Sequence, residues 1–285
     1  MSNLIGIRRR IKSAKNISQI TKAMEMVSAS KMRKAQDMAL ATRPFTAKLY
    51  DIMARVSSEE HAGRHALTQV VPEHHILLLM VSTNKGLCGA LNVNIHRGLS
   101  VFADEHRGVK ISVATIGKKA KYVVPGKDIE LAARFDTLGE TITFEETRSI
   151  SRYAMDSFMA GTYDAIYLVY PKFISTLQNQ VTVTKLLPVT RPKDEAAIPS
   201  EYKVEPDAKT LIDTLLPYQV EMTVYQTLLE ARASEHSARM IAMKNASDNA
   251  RDLISDLTLD YNQARQSAVT TELLDVTTAR MALNE

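Results

Sequence analysis

The stretch HILLLMVSTNKGLCGALN, His75 to Asn92, joins an apolar run to a turn with two glycines, a lysine and the chain's one cysteine. Seven residues, His75 and six of Ile, Leu, Met and Val, are too short for a typical helix and read as a strand buried on both faces. Gly86 and Gly89 then permit tight or positive-φ turns, and a helix-like segment begins near Ala90. A strand feeding a helix is the first half of a βαβ unit. Three functions are open to the turn. A helix N-terminus after glycines suits a phosphate, but Lys85 precedes the glycines and no Ser or Thr follows at the metal position. Cys88 is a candidate thiol nucleophile without a base legible in the sequence. The third reading is a strand-to-helix turn that shows Lys85 to an acidic partner.

The same grammar continues outward. Apolar runs at 110–116, 164–170 and 180–189 read as further strands. Helix-like segments fall at about 90–106 and 144–160, with a shorter one near 118–123. Strands alternating with helices define an α/β unit of Rossmann-like type with a mainly parallel sheet, spanning 74–190. The Pro- and charge-rich stretch 191–206 reads as a linker.

The two flanks differ from this middle. Residues 1–58 form a long helix in this reading, with apolar positions at Leu4, Ile7, Ile11 and Ala14 and again at Phe45, Leu49, Ile52 and Val56. Alternating steps of three and four mark a seam against another helix. Ile17, Ile20, Met24 and Val27 are expected to carry that face through the middle, and Pro44 to kink or interrupt the helix near Thr42. Fifty helical residues span about 75 Å. Residues 207–285 lack glycine, start behind a cap at Asp207, and span about 110 Å as a helix. Helices this long must lie along each other or enter a partner, because a small domain cannot cover them.

The chain has 285 residues and a net charge of +4, unevenly spread. Twelve Lys or Arg against three acids make residues 1–56 +9, while residues 207–285 are −5. Opposite charges favour an antiparallel coiled coil of the two ends, left-handed for heptad spacing. A basic first helix is also a candidate nucleic-acid binder, but its basic residues are not interleaved with aromatics. One cysteine excludes an internal disulfide. No secretory signal and no membrane-spanning helix are expected. The seven histidines, at 61, 65, 74, 75, 96, 106 and 236, include no legible metal set, and no nucleotide, serine-hydrolase or zinc-protease motif occurs. The enzymatic alternative is a coiled-coil protein whose α/β domain binds nucleotide phosphate through Lys85.

Five blocks carry a resemblance. They are ITKAMEMVSASKMRK (Ile20–Lys34), STNKGLCGALN (Ser82–Asn92), Glu205-Pro206-Asp207 with LIDTLL (Leu211–Leu216), ARMIAMKNASDN (Ala238–Asn249) and YNQARQSAVT (Tyr261–Thr270). In order and spacing they resemble the F-type ATP synthase gamma subunit, bacterial type, across essentially the whole chain. The resemblance implies a noncatalytic rotor shaft, one copy per complex. The terminal helices would form an antiparallel coiled coil inside a hexamer of alpha and beta subunits. Those subunits hold Mg-ATP or Mg-ADP, so no cofactor is implied on this chain. Rotation of a membrane c ring, driven by a proton or sodium gradient, would be coupled to ATP synthesis and hydrolysis. Further partners implied are epsilon and the c ring. The location implied is peripheral, on the cytoplasmic face of the bacterial plasma membrane. By match, Lys22, Met24 and Glu25 lie near an acidic lever of beta, and Lys85 and Cys88 sit in the loop approaching it. Arg239, Arg265 and Gln266 resemble shaft positions, the latter two like those meeting a catch loop of beta. Tyr202, Lys203 and Glu205 match contacts to the c ring or epsilon. The tail Thr277–Glu285 departs from the family's small apolar end, Val204 replaces a frequent tyrosine, and the chloroplast cysteine insertion is missing.

Overall fold

The computed structural model describes residues 2–56, 65–120, 129–189 and 207–282. The chain begins with helix α1, Ser2–Val56. A 3₁₀ turn at Ala66–Thr68 leads into β1, His75–Val81. There follow α2 (Leu91–Glu105), β2 (Lys110–Ile116), β3 (Ile129–Phe135), α3 (Phe144–Met159), β4 (Ala165–Phe173) and β5 (Asn179–Leu187). Helix α4, Ala208–Ala282, ends the described chain. Contacts divide the molecule into two compact units: residues 1–28 with 239–285, and residues 29–238.

The second unit holds the sheet, ordered β3-β2-β1-β4-β5. The first four strands are parallel and β5 runs antiparallel to β4, as the mainly parallel reading requires. β1 lies at the centre and its side chains alternate between two cores. Ile76, Leu78 and Met80 meet Leu91, Ile95 and Leu99 of α2 on one face. Leu77, Leu79 and Val81 face Ile150 and Ala154 of α3 and Leu216, Val220 and Leu228 of α4 on the other. Helices on both faces explain why β1 is apolar throughout rather than alternating. α3 starts at a reciprocal cap: Glu146 N–H donates to Thr143 Oγ1 at 3.4 Å, and Thr143 N–H donates to Glu146 Oε2 at 2.9 Å.

β3 is the strand the sequence does not announce. Its IELAARF contains one β-branched residue and two charges. As an edge strand with half-exposed faces it needs no apolar run. The helix expected near 118–123 is a turn as far as Ala120, closed by Ala120 N–H on the Gly117 carbonyl at 3.4 Å; its remainder, 121–123, lies outside the described residues, as do the linker at 191–206 and His61.

Within the second unit α1 and α4 run antiparallel. Phe45 meets Tyr218 edge to face at 5.8 Å, Gln226 Nε2 donates to the Ala39 carbonyl at 3.3 Å, and Lys31 and His236 line a common cleft. Arg43 approaches Glu230 at 3.9 Å. Pro44 does not interrupt α1. Around it, Thr42 turns its hydroxyl to the Ala39 carbonyl at 3.1 Å and to Gln226, and Thr46 donates to the Thr42 carbonyl at 3.1 Å. These bonds and the packing of α4 hold a helix that an isolated proline would break.

In the first unit the seam corrects the sequence reading. Ala14, Thr21 and Ser28, seven residues apart, are the buried positions of α1. On α4 the buried positions are Arg239, Met243, Ser247, Ala250 and Leu257. Ile17, Ile20 and Val27, expected in the seam, are 50–59% exposed. Their three-and-four spacing is real but belongs to a second stripe one position round the helix. Small residues win the seam because they let two backbones approach closely; the Thr21 hydroxyl satisfies itself on the Ile17 carbonyl at 2.9 Å. Beyond Ala268, α4 is exposed at every position from 269 to 281, including Val269, Leu273, Leu274, Val276 and Met281. Among the described residues no helix is long and apolar enough to cross a membrane.

Candidate partner-binding loop and its anchorage

In a doubly wound sheet the ligand crevice lies beyond the carboxyl ends of the strands, where the strand order reverses. Here the reversal falls between β1 and β4. That place is filled by protein. Leu228, Ala231 and Arg232 of α4, with Leu138 and Ile142, close over Ser82, Gly117 and Pro171. The void left is about 10 Å³, room for about one water. α4 occupies the position that a nucleotide would need, which weighs against the enzymatic alternative.

Residues 82–90 leave the end of β1 as a turn tied down at its root. The Ser82 hydroxyl donates to the Ile116 and Gly117 carbonyls, both at 3.2 Å. Thr83 and Asn92 share a hydrogen-bond pair across the turn, Asn92 Nδ2 donating to Thr83 Oγ1 at 2.9 Å. Asn84 donates to the Leu138 carbonyl at 2.9 Å and accepts from the Lys118 amide at 3.3 Å. The Thr and Asn side chains thus tie the turn to α2 and to the segments that follow β2 and β3.

Cys88 is 3% exposed, with Asn92 Nδ2 3.5 Å from its sulfur. The thiol lies inside the turn, and Leu87 takes the outward position, 61% exposed at φ 62°. A left-handed leucine costs about 1–2 kcal/mol, and the sequence offered glycines for that conformation; Gly89 uses it at φ 59°. Leu87 is the residue the sequence reading missed, since nothing in its type marks it. Leu87→Gly is expected to raise unfolding stability by about 0.5–1 kcal/mol, relief of strain less the glycine's chain entropy. A urea midpoint unchanged or lowered contradicts it.

Lys85 sits at the apex with its side chain 70% exposed, and its ammonium is paired with Glu140. The other oxygen of Glu140 takes Lys31 of α1. These two hydrogen-bonded ammonium groups hold the Glu140 carboxyl down to about 2. The loop carrying Glu140 is fixed in turn by Arg232 of α4, whose Nη2 donates to the Gly139 carbonyl at 3.0 Å. Arg232 Nη1 also pairs with buried Glu235 at 2.7 Å. One carboxylate therefore joins the loop after β1 to α1, on a segment pinned to α4. Neither Lys31 nor Glu140 is marked by the sequence, because 109 residues separate them.

A depressed carboxyl contributes stability above its unfolded value near 4.5 and loses it as pH falls through its folded value. The Lys31–Glu140–Lys85 cluster is therefore expected to persist at pH 4 and open near pH 2. The Glu140 carboxyl carbon, followed by NMR, should titrate with a midpoint near 2; a midpoint near 4.5 shows that the two lysines do not hold it.

In the first unit, Lys22 pairs with Glu25 at 3.0 Å, and Met24 is half-buried beside them. Arg239 is 7% exposed, whereas Arg265 and Gln266 are exposed. Tyr202, Lys203 and Glu205 lie outside the described residues.

A filled crevice, a polar loop with a lysine and a strained leucine at its apex, and two long helices with uncovered apolar stripes define a scaffold protein built to work against other chains. Comparisons agree. Residues 3–283 match the family model described as ATP synthase. ATP synthase gamma chains of Herpetosiphon aurantiacus and Dehalococcoides mccartyi are each 41% identical, over 100% and 99% of this chain and 100% of theirs. The central stalk of the Tetrahymena thermophila mitochondrial ATP synthase superposes with a TM-score of 0.62 at 26% identity, over 80% of this chain and 99% of that one. A chain of the Euglena gracilis mitochondrial enzyme has a TM-score of 0.67 at 18% identity, over 99% of this chain and 95% of that one, which speaks to fold alone. The chain belongs to the ATP synthase gamma chain family, as a noncatalytic subunit of that complex with the fold of its central stalk.

Proposed function

We propose that this chain is the rotating shaft that couples a membrane c ring, driven by a proton or sodium gradient, to ATP synthesis and hydrolysis on an alpha/beta hexamer. The observation that carries the reading is the uncovered apolar surface of the two helices. Leu273, Leu274, Val276 and Met281 lie in a run of α4 in which every residue from 269 to 281 is exposed, and Ile17, Ile20 and Val27 form an exposed stripe on α1. Long helices owe their stability to apolar packing, so such stripes call for a partner. A rotor must present different contacts at different angles, since a ligand shifts an equilibrium only through differential affinity. A single copy with Lys22, Met24, Glu25 and Arg239 on one part and Arg265 and Gln266 on another meets that need. Lys85 approaches an acidic segment of beta, with Leu87 rather than Cys88 outward beside it. Tyr202, Lys203 and Glu205 contact the c ring or epsilon. Mg-ATP and Mg-ADP bind the partner subunits, and the complex lies on the cytoplasmic face of a bacterial plasma membrane. The Tetrahymena thermophila relative, solved as a central stalk with a c-ring, supports the c-ring partner.

The test is assembly. Alpha and beta subunits mixed with this chain should give a complex on gel filtration that hydrolyses ATP and turns a bead fixed to the chain. Failure to form that complex, or hydrolysis without rotation, overturns the reading.

A further inference from the structure

The cluster at Glu140 has two ammonium groups and one carboxylate. Its local balance is therefore one positive charge in excess of neutral. Lys31 holds one Glu140 oxygen and Lys85 the other, so either lysine can leave without stranding the carboxylate. The two heads differ in freedom. Lys31 stands on helix α1 with its side chain 39% exposed, while Lys85 stands at a loop apex and is 70% exposed. Glu140 itself cannot follow a departing lysine far. Its neighbour Gly139 is held by Arg232, and Leu138 by Asn84.

We propose that Glu140 is an internal competitor for Lys85, parking its ammonium between encounters and releasing it to a carboxylate of an acidic partner segment. This rests on the rotor reading above and adds a positioning pair, Lys31 and Glu140, to it. The exchange replaces one exposed ion pair by another, and exposed pairs have little net attraction in water. Nothing is left unpaired at either end. With the partner near, Glu140 keeps Lys31 and the partner keeps Lys85, two cations now matched by two anions. With the partner turned away, Lys85 returns to Glu140 rather than to solvent. The loop root at Ser82 and Thr83 stays closed throughout, so the movement is confined to the lysine side chain. Such an exchange suits a partner that must bind at one angle and let go at the next.

Zero-length carbodiimide coupling, which joins an amine to a carboxylate only in ion-pair contact, reads this directly in the assembled alpha–beta–gamma complex. Mass spectrometry should find two products at Lys85 in the unaltered chain, one to Glu140 and one to an Asp or Glu of another subunit. Glu140→Gln removes the competitor and should raise the intersubunit yield at Lys85 about two- to fivefold, the span allowed by an exposed pair. Lys31→Gln leaves Glu140 to Lys85 alone and should lower that yield. The Lys31 arm decides the matter should Glu140→Gln impair folding. Coupling of Lys85 to Glu140 alone, or an intersubunit yield unchanged in both variants, overturns the exchange while leaving the rotor reading intact. Absence of the complex on gel filtration, seen before any coupling, overturns the rotor reading instead.

Discussion

Lys85→Glu in the assembled complex is expected to lower ATP-driven ion pumping at least about tenfold while leaving the fold intact. The substitution places a second carboxylate beside Glu140 and loses the ion pair that holds the loop apex. Under the proposed contact with an acidic partner it also sets like charges against each other, which across an interface costs several kcal/mol, and about 1.36 kcal/mol is already tenfold in rate. The fold survives because both side chains are about half exposed or more and the loop root depends on Ser82, Asn84 and Asn92. Lys85→Gln should lose less. Adding Glu140→Lys to Lys85→Glu restores an intrachain pair but not the partner contact, so the double variant should regain thermal stability without regaining coupling. Raising ionic strength should lessen the Lys85→Glu defect, since the repulsion is between exposed charges. Pumping and torque unchanged in Lys85→Glu would remove this loop from the interface.

Gly117→Val is expected to destabilise the chain by about 3–5 kcal/mol, the sum of backbone strain and overpacking. Gly117 follows β2 at φ 97°, and a Cβ there would lie 2.6 Å from the Ser82 carbonyl oxygen and 3.0 Å from its hydroxyl. The obstacle is backbone, which cannot swing aside as a flexible side chain does. Its amide also bonds the Phe135 carbonyl at 3.0 Å, tying β2 to the edge strand. Relief requires moving Ser82, and Ser82 is the root of the loop that presents Lys85. Gly117→Val should therefore lower the urea midpoint and, in the fraction that folds, weaken coupling as well. Gly86→Ala is the control: no atom lies within 4 Å of its Cβ position and its φ is ordinary, so the midpoint should barely move. Equal effects at the two glycines would contradict this account.

Much of the architecture is local in origin, and local signals are what a sequence carries. β1, β2, β4 and β5 are apolar or β-branched runs, and α2 and α3 are periodic segments between them. The glycine-poor flanks have no reason to stop being helical, and Asp207 caps the second through the Thr210 amide at 2.8 Å. β3 escaped because an edge strand needs little apolar surface. The α1 seam was misplaced because Ile17, Ile20 and Val27 keep heptad spacing as faithfully as Ala14, Thr21 and Ser28 do. Periodicity reports that a stripe exists, and two stripes one residue apart satisfy it equally; only the approach of the second helix selects the small one.

The loop divides in the same way. That 82–90 is a turn between strand and helix followed from residue types and order alone, with a displayed Lys85 one of three readings left open. Which of Leu87 and Cys88 points outward depended on backbone angles that no residue type here announced. The filling of the sheet's crevice by Leu228, Ala231 and Arg232, and the meeting of Lys31, Lys85 and Glu140, join residues more than 50 positions apart. By itself the sequence determined the elements, the parallel sheet, the two long helices and the family, because helix and strand periods and motif spacing are properties of neighbours along the chain. The tertiary structure alone decided which stripe is covered, what occupies the crevice and where the lysine's charge is spent, because those are outcomes of competition for space and counter-charge among distant residues.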